Sequence, residues 1–193
     1  MSKSKLLAED LARSGLTAAQ GAALGMRQLT AAETSALGAN FKPLASMHIP
    51  YWDAFEPARP LSFATGWPPF YRVRYLGEPN GFDTLTGRKP TRYMQSADVG
   101  LCAYFTRGVD WAALLSDPDK PLIITEGEKK AAKACLSGLP TIGLGGVWSW
   151  RSADMSLFFI PCLERVTWAR RNVYIIYDSD SRTNPDVNQA LHK

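Results

Sequence analysis

Three acids stand where a carboxylate serves chemistry better than packing. Glu126 closes the apolar run of PLIITEGEKK, and Asp178 and Asp180 close the apolar run of NVYIIYDSD. An acid at the end of a buried run is costly to place unless its charge is used. In open parallel sheets, ligands bind outside the carboxyl ends of the strands. Glu126 lies two residues past Ile124, and Asp180 lies two past Asp178, so at period two both aspartates can point the same way. If those two strands are neighbours, three carboxylates converge on one edge and repel one another unless a cation joins them. Mg²⁺ fits such a set, because it takes carboxylate and water oxygens and completes its shell with phosphate; Mn²⁺ is the alternative. The plainer reading stays open: DSD is a common turn, and Glu126 can serve the positive end of the helix that follows it.

Neighbouring residues extend the candidate site. Lys129 and Lys130 follow Glu126 on the first turn of the predicted helix and are candidates for substrate phosphates, whereas Lys133 reads as a solvated face. WSWRS offers Trp148 and Trp150 for stacking on a base, with Arg151 beside them, although both tryptophans also suit a core. Glu128 reads as a first-turn acid matched to the helix dipole. Arg170 and Arg171 precede the last strand and so belong at its far end, as structural or surface residues.

The elements that must position these groups are α/β in texture. LIIT is a short buried strand leading into a helical pattern from Glu128 to Ser137, with Ala132, Cys135 and Leu136 inward and Lys129, Lys130 and Lys133 outward. Gly138 stops that helix. TIGLGG is a second strand running into a glycine turn. NVYIIYDSD is a third, with Val173, Ile175 and Ile176 in the continuous apolar stretch of a buried parallel strand. NPDVNQALHK begins another helix, with Asn184 as cap and Pro185 first. Strands alternating with helices imply a parallel sheet.

Upstream, residues 4–38 read as short helices. Thr17 with Gln20 and Thr30 with Glu33 have capping-box spacing, and Gly15, Gly25 and Gly38 punctuate the segments. No basic recognition helix is present, so a helical appendage is expected rather than a DNA-reading three-helix unit. From about 43 to 105 the chain is irregular and β-rich, holding eight of the thirteen prolines. PPFYRVRYL places Tyr71, Val73 and Tyr75 on one face and Phe70, Arg72 and Arg74 on the other. With Arg88, Lys89 and Arg92 this makes a cationic, aromatic surface suited to single-stranded nucleic acid, or simply a solvated face over an aromatic core. GVDWAALLSDPDKP is a short helix followed by a linker. The expected division is a helical segment at 1–42, a β-rich basic and aromatic segment at 43–117, and an α/β domain at 118–193.

Composition narrows the classes. Of 193 residues, 46% are hydrophobic and 21% charged, an ordinary globular balance. The net charge of +4 admits an anionic partner without naming one. Three cysteines without a CxxC pair, and two histidines, exclude a zinc ribbon and a disulfide framework, which points to the reducing cytoplasm. The apolar patch LFFIPCL falls well short of the roughly 20 residues of a membrane span, so no membrane partner is expected.

LIITEGEKKAAKACLSGLPTIGLGGVW followed by RRNVYIIYDSD resembles the Toprim domain, the Mg²⁺-binding fold of bacterial-type primases, topoisomerases, recombination proteins and some nucleases. The resemblance is nearest to the Toprim-like segments of phage and plasmid replication proteins, where a helicase often follows. Including IPYWDAF, FYRVRY and RYMQSADVGLCAYF upstream, it covers roughly residues 45 to 193. It rests on Glu126–Gly127 ending one strand, Asp178-x-Asp180 ending another, and Gly145–Gly146 after the strand between them. It implies a Toprim-like parallel sheet flanked by helices, with Glu126 as general base, general acid or metal-linked carboxylate and the two aspartates holding Mg²⁺. The implied activity is metal-dependent nucleotidyl transfer from nucleoside triphosphates, as the primase module of a mobile element. The implied partners are single-stranded DNA or a primer-template, guided by Arg72, Arg74 and Arg92, and a helicase domain or subunit. A Toprim nuclease, or a non-catalytic nucleic-acid-binding or assembly module, are the alternatives. The family's last strand is missing, no GxxxxGK[ST] occurs and no primase zinc module is present, so an N-terminal fragment of a longer replication protein is expected.

Overall fold

The computed structural model describes residues 3–76, 91–97, 99–153, 156–177 and Gln189. The chain divides into two compact units, Met1–Tyr51 with Phe63–Val99, and Trp52–Ser62 with Gly100–Lys193. The fold class is mixed α/β, with a four-stranded antiparallel sheet in the first unit and a three-stranded parallel sheet in the second.

The first unit runs through helices α1 (Lys3–Ala12) and α2 (Ala18–Ala23), strand β1 (Arg27–Leu29), helix α3 (Ala31–Ser35) and strands β2 (Ser46–Pro50), β3 (Tyr71–Tyr75) and β4 (Tyr93–Gln95). Both capping boxes form. The Thr17 hydroxyl accepts the Gln20 N–H at 3.1 Å while the Gln20 side chain accepts the Thr17 N–H at 2.9 Å; Thr30 and Glu33 repeat this at 3.1 and 2.7 Å. Satisfying free N–H groups this way is what lets such short helices start.

Residues 4–38 are not helical throughout. Residues 27–29 form β1, which pairs antiparallel with β2 and sets Arg27 beside His48. The sheet order is β1-β2-β3-β4. Segments expected to be separate, the helical start and the β-rich stretch, therefore share one sheet. Leu29, Phe41, Val73 and Tyr75 form a buried cluster in this unit. The alternation of β3 holds, with Val73 and Tyr75 buried and Arg72 and Arg74 on the opposite face. Phe70 departs from it. Lying just before β3, it is buried and packs edge-on against Tyr51 and Phe63, at ring separations of 4.7 and 5.3 Å.

The second unit contains α4 (Trp111–Ser116), β5 (Leu122–Glu126), α5 (Glu128–Leu136), β6 (Thr141–Leu144), α6 (Pro161–Glu164) and β7 (Val173–Ile176). The Asp110 carboxylate caps α4 by accepting the Ala113 N–H at 3.1 Å. The sheet order is β6-β5-β7 and both pairings are parallel. Strand β5 runs one residue further than LIIT and includes Glu126, which lies beside Leu144. Its core gathers Trp111, Leu115, Leu122, Ile142, Leu144 and Leu163.

Two glycines let β5 turn back into α5. Gly127 takes φ 97° and ψ 139°, a backbone state open to glycine and strained for any residue with a Cβ. Its N–H donates to the Leu144 carbonyl at 2.8 Å, so the turn is also tied to β6. A Cβ on Gly143 would lie 3.0 Å from the Ala131 Cβ and 3.2 Å from the Gly127 carbonyl oxygen. Strand and helix can approach this closely because Gly143 has no side chain.

Helix α5 is rotated from the orientation its sequence predicts. Glu128, Lys129, Ala131 and Ala132 are the buried residues, while Leu136 is 46% exposed. The inward stripe begins in the first turn because Gly127 folds that turn directly onto the strand ends. Strand β7 also departs from expectation. Val173, Tyr174, Ile175 and Ile176 are all exposed, and among the described residues β7 pairs with β5 alone at the sheet edge. Backbone pairing, rather than burial on both faces, holds it there. Just before β7, Arg171 is buried and donates to the carbonyls of Lys120 at 2.6 Å, Thr167 at 2.8 Å and Leu115 at 2.9 Å. It is a structural residue, one of the two readings open to it, and Arg170 precedes it at φ 63°. The helix expected from Asn184 lies, apart from Gln189, outside the described residues. No described helix is long and apolar enough to cross a membrane.

Two measurements test this account. Gly127→Ala should lower unfolding free energy by about 1–3 kcal/mol in urea titrations, from backbone strain alone, since a Cβ there meets no neighbour within 4 Å. In the first unit, burial and then the Arg27 charge lower the His48 pKa to about 4 from 6.5. Between those values the unfolded chain binds more protons than the folded one, so stability should fall as pH drops from about 6.5 towards 4. His48→Gln should flatten that part of the stability–pH curve; an unchanged slope would rule out His48 as its source.

Candidate functional site

The carboxyl end of the parallel sheet is where the predicted acids belong. Strands β5 and β7 are neighbours, and their register sets Thr125 beside Ile176. The next residue along β5 is Glu126 and the next along β7 is Tyr177. The two are close enough that, after burial, the Glu126 carboxylate pushes the Tyr177 hydroxyl above its ordinary range. Asp178 follows Tyr177 directly in the chain; it and Asp180 lie outside the described residues. Among the described residues no group of three His, Cys, Asp or Glu side chains is arranged to hold a metal ion. Two of the three expected ligands are not among them.

The lysines beside Glu126 separate. Lys130 is exposed, whereas Lys129 is only 6% exposed and lies with the fully buried Glu128 at the start of α5. The outward orientation expected for Lys129 is therefore corrected. A lysine can bury its aliphatic stem along apolar surface and still direct its ammonium elsewhere, so its placement is less costly than its charge implies. Glu128 is the first-turn acid of α5, as expected, and it is fully buried. It lies near Tyr104, whose hydroxyl is raised by burial first and by the Glu128 charge second. Tyr104 is held against β6 by two backbone hydrogen bonds with Gly143, of 2.7 and 3.0 Å.

A hollow of about 320 Å³ opens on the sheet face that carries Ile124, Ile175 and Tyr177. At period two, Glu126 belongs to the same face as Ile124. The opposite wall is aromatic, with Trp150, Phe158, Phe159 and Trp168. Trp150 lies 5.9 Å from Phe158 and 6.1 Å from Phe159, and the Arg151 guanidinium stands 5.5 Å from the Trp150 ring. Phe158 is 68% exposed. Trp150 thus reaches the hollow, while Trp148 is half-buried in the turn that follows β6 and is not among the lining residues. Sequence reading missed Phe158, Phe159, Trp168 and Tyr177. The available signal was LFFIPCL, which had meaning only as a stretch too short for a membrane.

In the first unit, Arg72 and Arg74 lie 5.2 and 5.0 Å from the ring of Tyr93. Arg74 Nε also donates to both carboxylate oxygens of Asp10, at 2.8 and 3.0 Å, with the two side chains 12% and 8% exposed. Such a buried pair is an internal fixture, not a guide for a strand of nucleic acid. Arg92 is exposed just ahead of β4, and its carbonyl accepts the Tyr75 N–H at 2.9 Å. Of the expected cationic surface, Arg74 is paired internally, Arg72 is half-buried, Arg92 is exposed, and Arg88 and Lys89 lie outside the described residues.

No curated protein and no solved structure matches the chain. Residues 110–193, from the cap of α4 through the parallel sheet, match a family described as a domain of unknown function, DUF3854.

Proposed function

We propose that the second unit is a Toprim-type module carrying out Mg²⁺-dependent nucleotidyl transfer on nucleic acid, as in the primase part of a phage or plasmid replication protein. The observation that carries this reading is that β5 and β7 are adjacent, parallel and level at their carboxyl ends. That arrangement sets the end of β5 at Glu126 beside the end of β7 at Tyr177, the residue that precedes Asp178 in the chain, and this supports a shared carboxylate site. The donor set also fits. Three carboxylates are hard oxygen ligands suited to Mg²⁺ or Mn²⁺, and the soft Cys102, Cys135 and Cys162 are not needed. Bound by Glu126, Asp178 and Asp180, the ion would supply charge neutralisation at the reacting phosphate.

The chain's own residues have separate tasks in this reading. Glu126 accepts the proton of a primer 3′-hydroxyl as it attacks the α-phosphate of an incoming nucleotide, with pyrophosphate leaving in line. Lys130, exposed on the first turn of α5, meets the phosphates. The aromatic wall of the hollow offers Trp150 and Phe158 for stacking on a base, with the Arg151 guanidinium beside the Trp150 ring. Single-stranded template and nucleoside triphosphates are the partners, and a helicase is the expected companion activity.

Primer extension with nucleoside triphosphates and Mg²⁺, run beside a nuclease assay on single-stranded and duplex DNA, tests this. Glu126→Gln and Asp178→Asn should each lower extension by about 100-fold or more while leaving thermal unfolding close to the parent's. Cleavage without extension, abolished by the same substitutions, would reassign the site to hydrolysis. Nucleic-acid binding with neither activity, unchanged by Asp178→Asn, would make the unit a binding or assembly module.

A further inference from the structure

The second unit holds a pair of thiols that the proposed site does not use. Cys102 lies just before the Tyr104–Gly143 bridge, and Cys162 lies on α6. The fold brings them together: the Ala103 backbone N–H donates to Cys162 Sγ at 3.2 Å, across 59 residues of chain, and the two thiols share a hydrogen bond. Both line a small cavity of about 30 Å³, walled by Trp52, Asp53, Phe55 and Arg165. Space of that size admits a molecule as small as water or hydrogen peroxide. The cavity wall is braced. Asp53 accepts the N–H groups of Phe55 at 2.8 Å and Glu56 at 3.1 Å and pairs with Arg59 at 2.7 Å, and the Arg165 guanidinium lies 3.6 Å from the Phe55 ring centre.

We propose that Cys102 and Cys162 are an oxidation site, closing to an intramolecular disulfide when a hydroperoxide reaches this cavity. Cys162 is the attacking thiol. The hydrogen bond from Cys102 comes first among the causes that hold it below the ordinary thiol range, with backbone N–H groups adding to it, and the same shared bond raises Cys102 well above. The Cys162 thiolate attacks one peroxide oxygen, breaking the O–O bond to give a sulfenic acid, and the displaced hydroxide takes a proton to become water. Cys102 then attacks the Cys162 sulfur, forming the S–S bond and expelling the sulfenic oxygen as a second water. Two thiols lose two electrons and two protons, and one peroxide is reduced to two waters. Cys135 is the internal control. It is half-buried, its sulfur is engaged by the Thr141 backbone N–H and carbonyl, each at 3.3 Å, and burial pushes its thiol up.

The test treats the reduced full chain with a small excess of hydrogen peroxide, then blocks remaining thiols with N-ethylmaleimide and maps the peptides. The expected product has lost two hydrogens, carries a single maleimide on Cys135, and contains a peptide joining Cys102 to Cys162. Its melting temperature should exceed that of the reduced form by about 5 °C or more, because the bridge restrains a long loop of the unfolded chain. Cys102→Ala, which also removes the hydrogen bond that favours the Cys162 thiolate, should react more slowly and stop at a sulfenic acid on Cys162 that dimedone traps, and Cys135→Ser should oxidise like the parent. Maleimide on all three cysteines, a bridge involving Cys135, or a covalent dimer as the main product would overturn the proposal. These readouts need no nucleic acid, so they stand or fall apart from the activity assays.

Discussion

The second unit depends on how the chain leaves β5. A strand that ends in a carboxylate and turns at once into a helix must reverse direction within about one residue, and ordinary backbone states do not allow it. Gly127 does so with φ 97°, and its N–H is held by the Leu144 carbonyl of β6. The glycine that makes the turn is thereby tied to the neighbouring strand. Gly143 then lets Ala131 approach β6 closely, so the helix lies over the junction it has just left. Glu126 is consequently placed by three elements rather than by its own side chain. It ends the central strand, has β6 on one side and β7 on the other, and is followed by a helix start whose free N–H groups favour negative charge.

The same geometry explains the unusual burial at the start of α5. A helix folded tightly over a strand end presents its first turn, not its middle, to the sheet. Glu128 is fully buried and Lys129 nearly so, and the stripe continues through Ala131 and Ala132. Small residues in the second turn keep the axis close to the sheet. Burial of adjacent opposite charges is tolerable where each finds partners, and Tyr104 stands near Glu128 on the strip of chain bridged to Gly143.

What could be read in the sequence was what is local. The capping boxes at Thr17 and Thr30 formed because each needs only residues three apart, and LIITEG and TIGLGG became adjacent parallel strands because apolar runs broken by glycine have few other uses. Contacts distant along the chain were not legible. Arg74 looked like a surface cation because its partner, Asp10, lies 64 residues away. β1 was hidden because Arg-Gln-Leu is too short to show a period, and its pairing is supplied by β2. β7 read as a buried strand because its residues are all apolar, yet apolarity fixes preference and not the presence of a covering layer; Val173 to Ile176 are exposed here. Of the candidate site, the strand ending at Glu126 and Trp150 in the wall were legible and the rest of the wall was not, since Phe158, Phe159 and Trp168 come from a stretch with no recognisable element.

Charge is where composition misleads most. A chain of net charge +4 invites the assumption of a basic face, yet several of its arginines are engaged by other groups of the chain, some buried and some at the surface. Arg171 binds three carbonyls, Arg74 is paired with Asp10, and Arg59 is paired with Asp53 and Glu56. Arg107 lies 4.3 Å from the Trp52 ring and Arg165 lies 3.6 Å from that of Phe55. Each contact over a ring is worth only about 0.5–1 kcal/mol where solvent reaches it, but it fixes where the guanidinium stands. A cation held against an aromatic ring at a known place is a different object from a solvated one. It keeps its full charge, but the ring beneath it fixes the orientation of the guanidinium plane. Arg151 beside Trp150, a residue that lines the hollow, is held in this way.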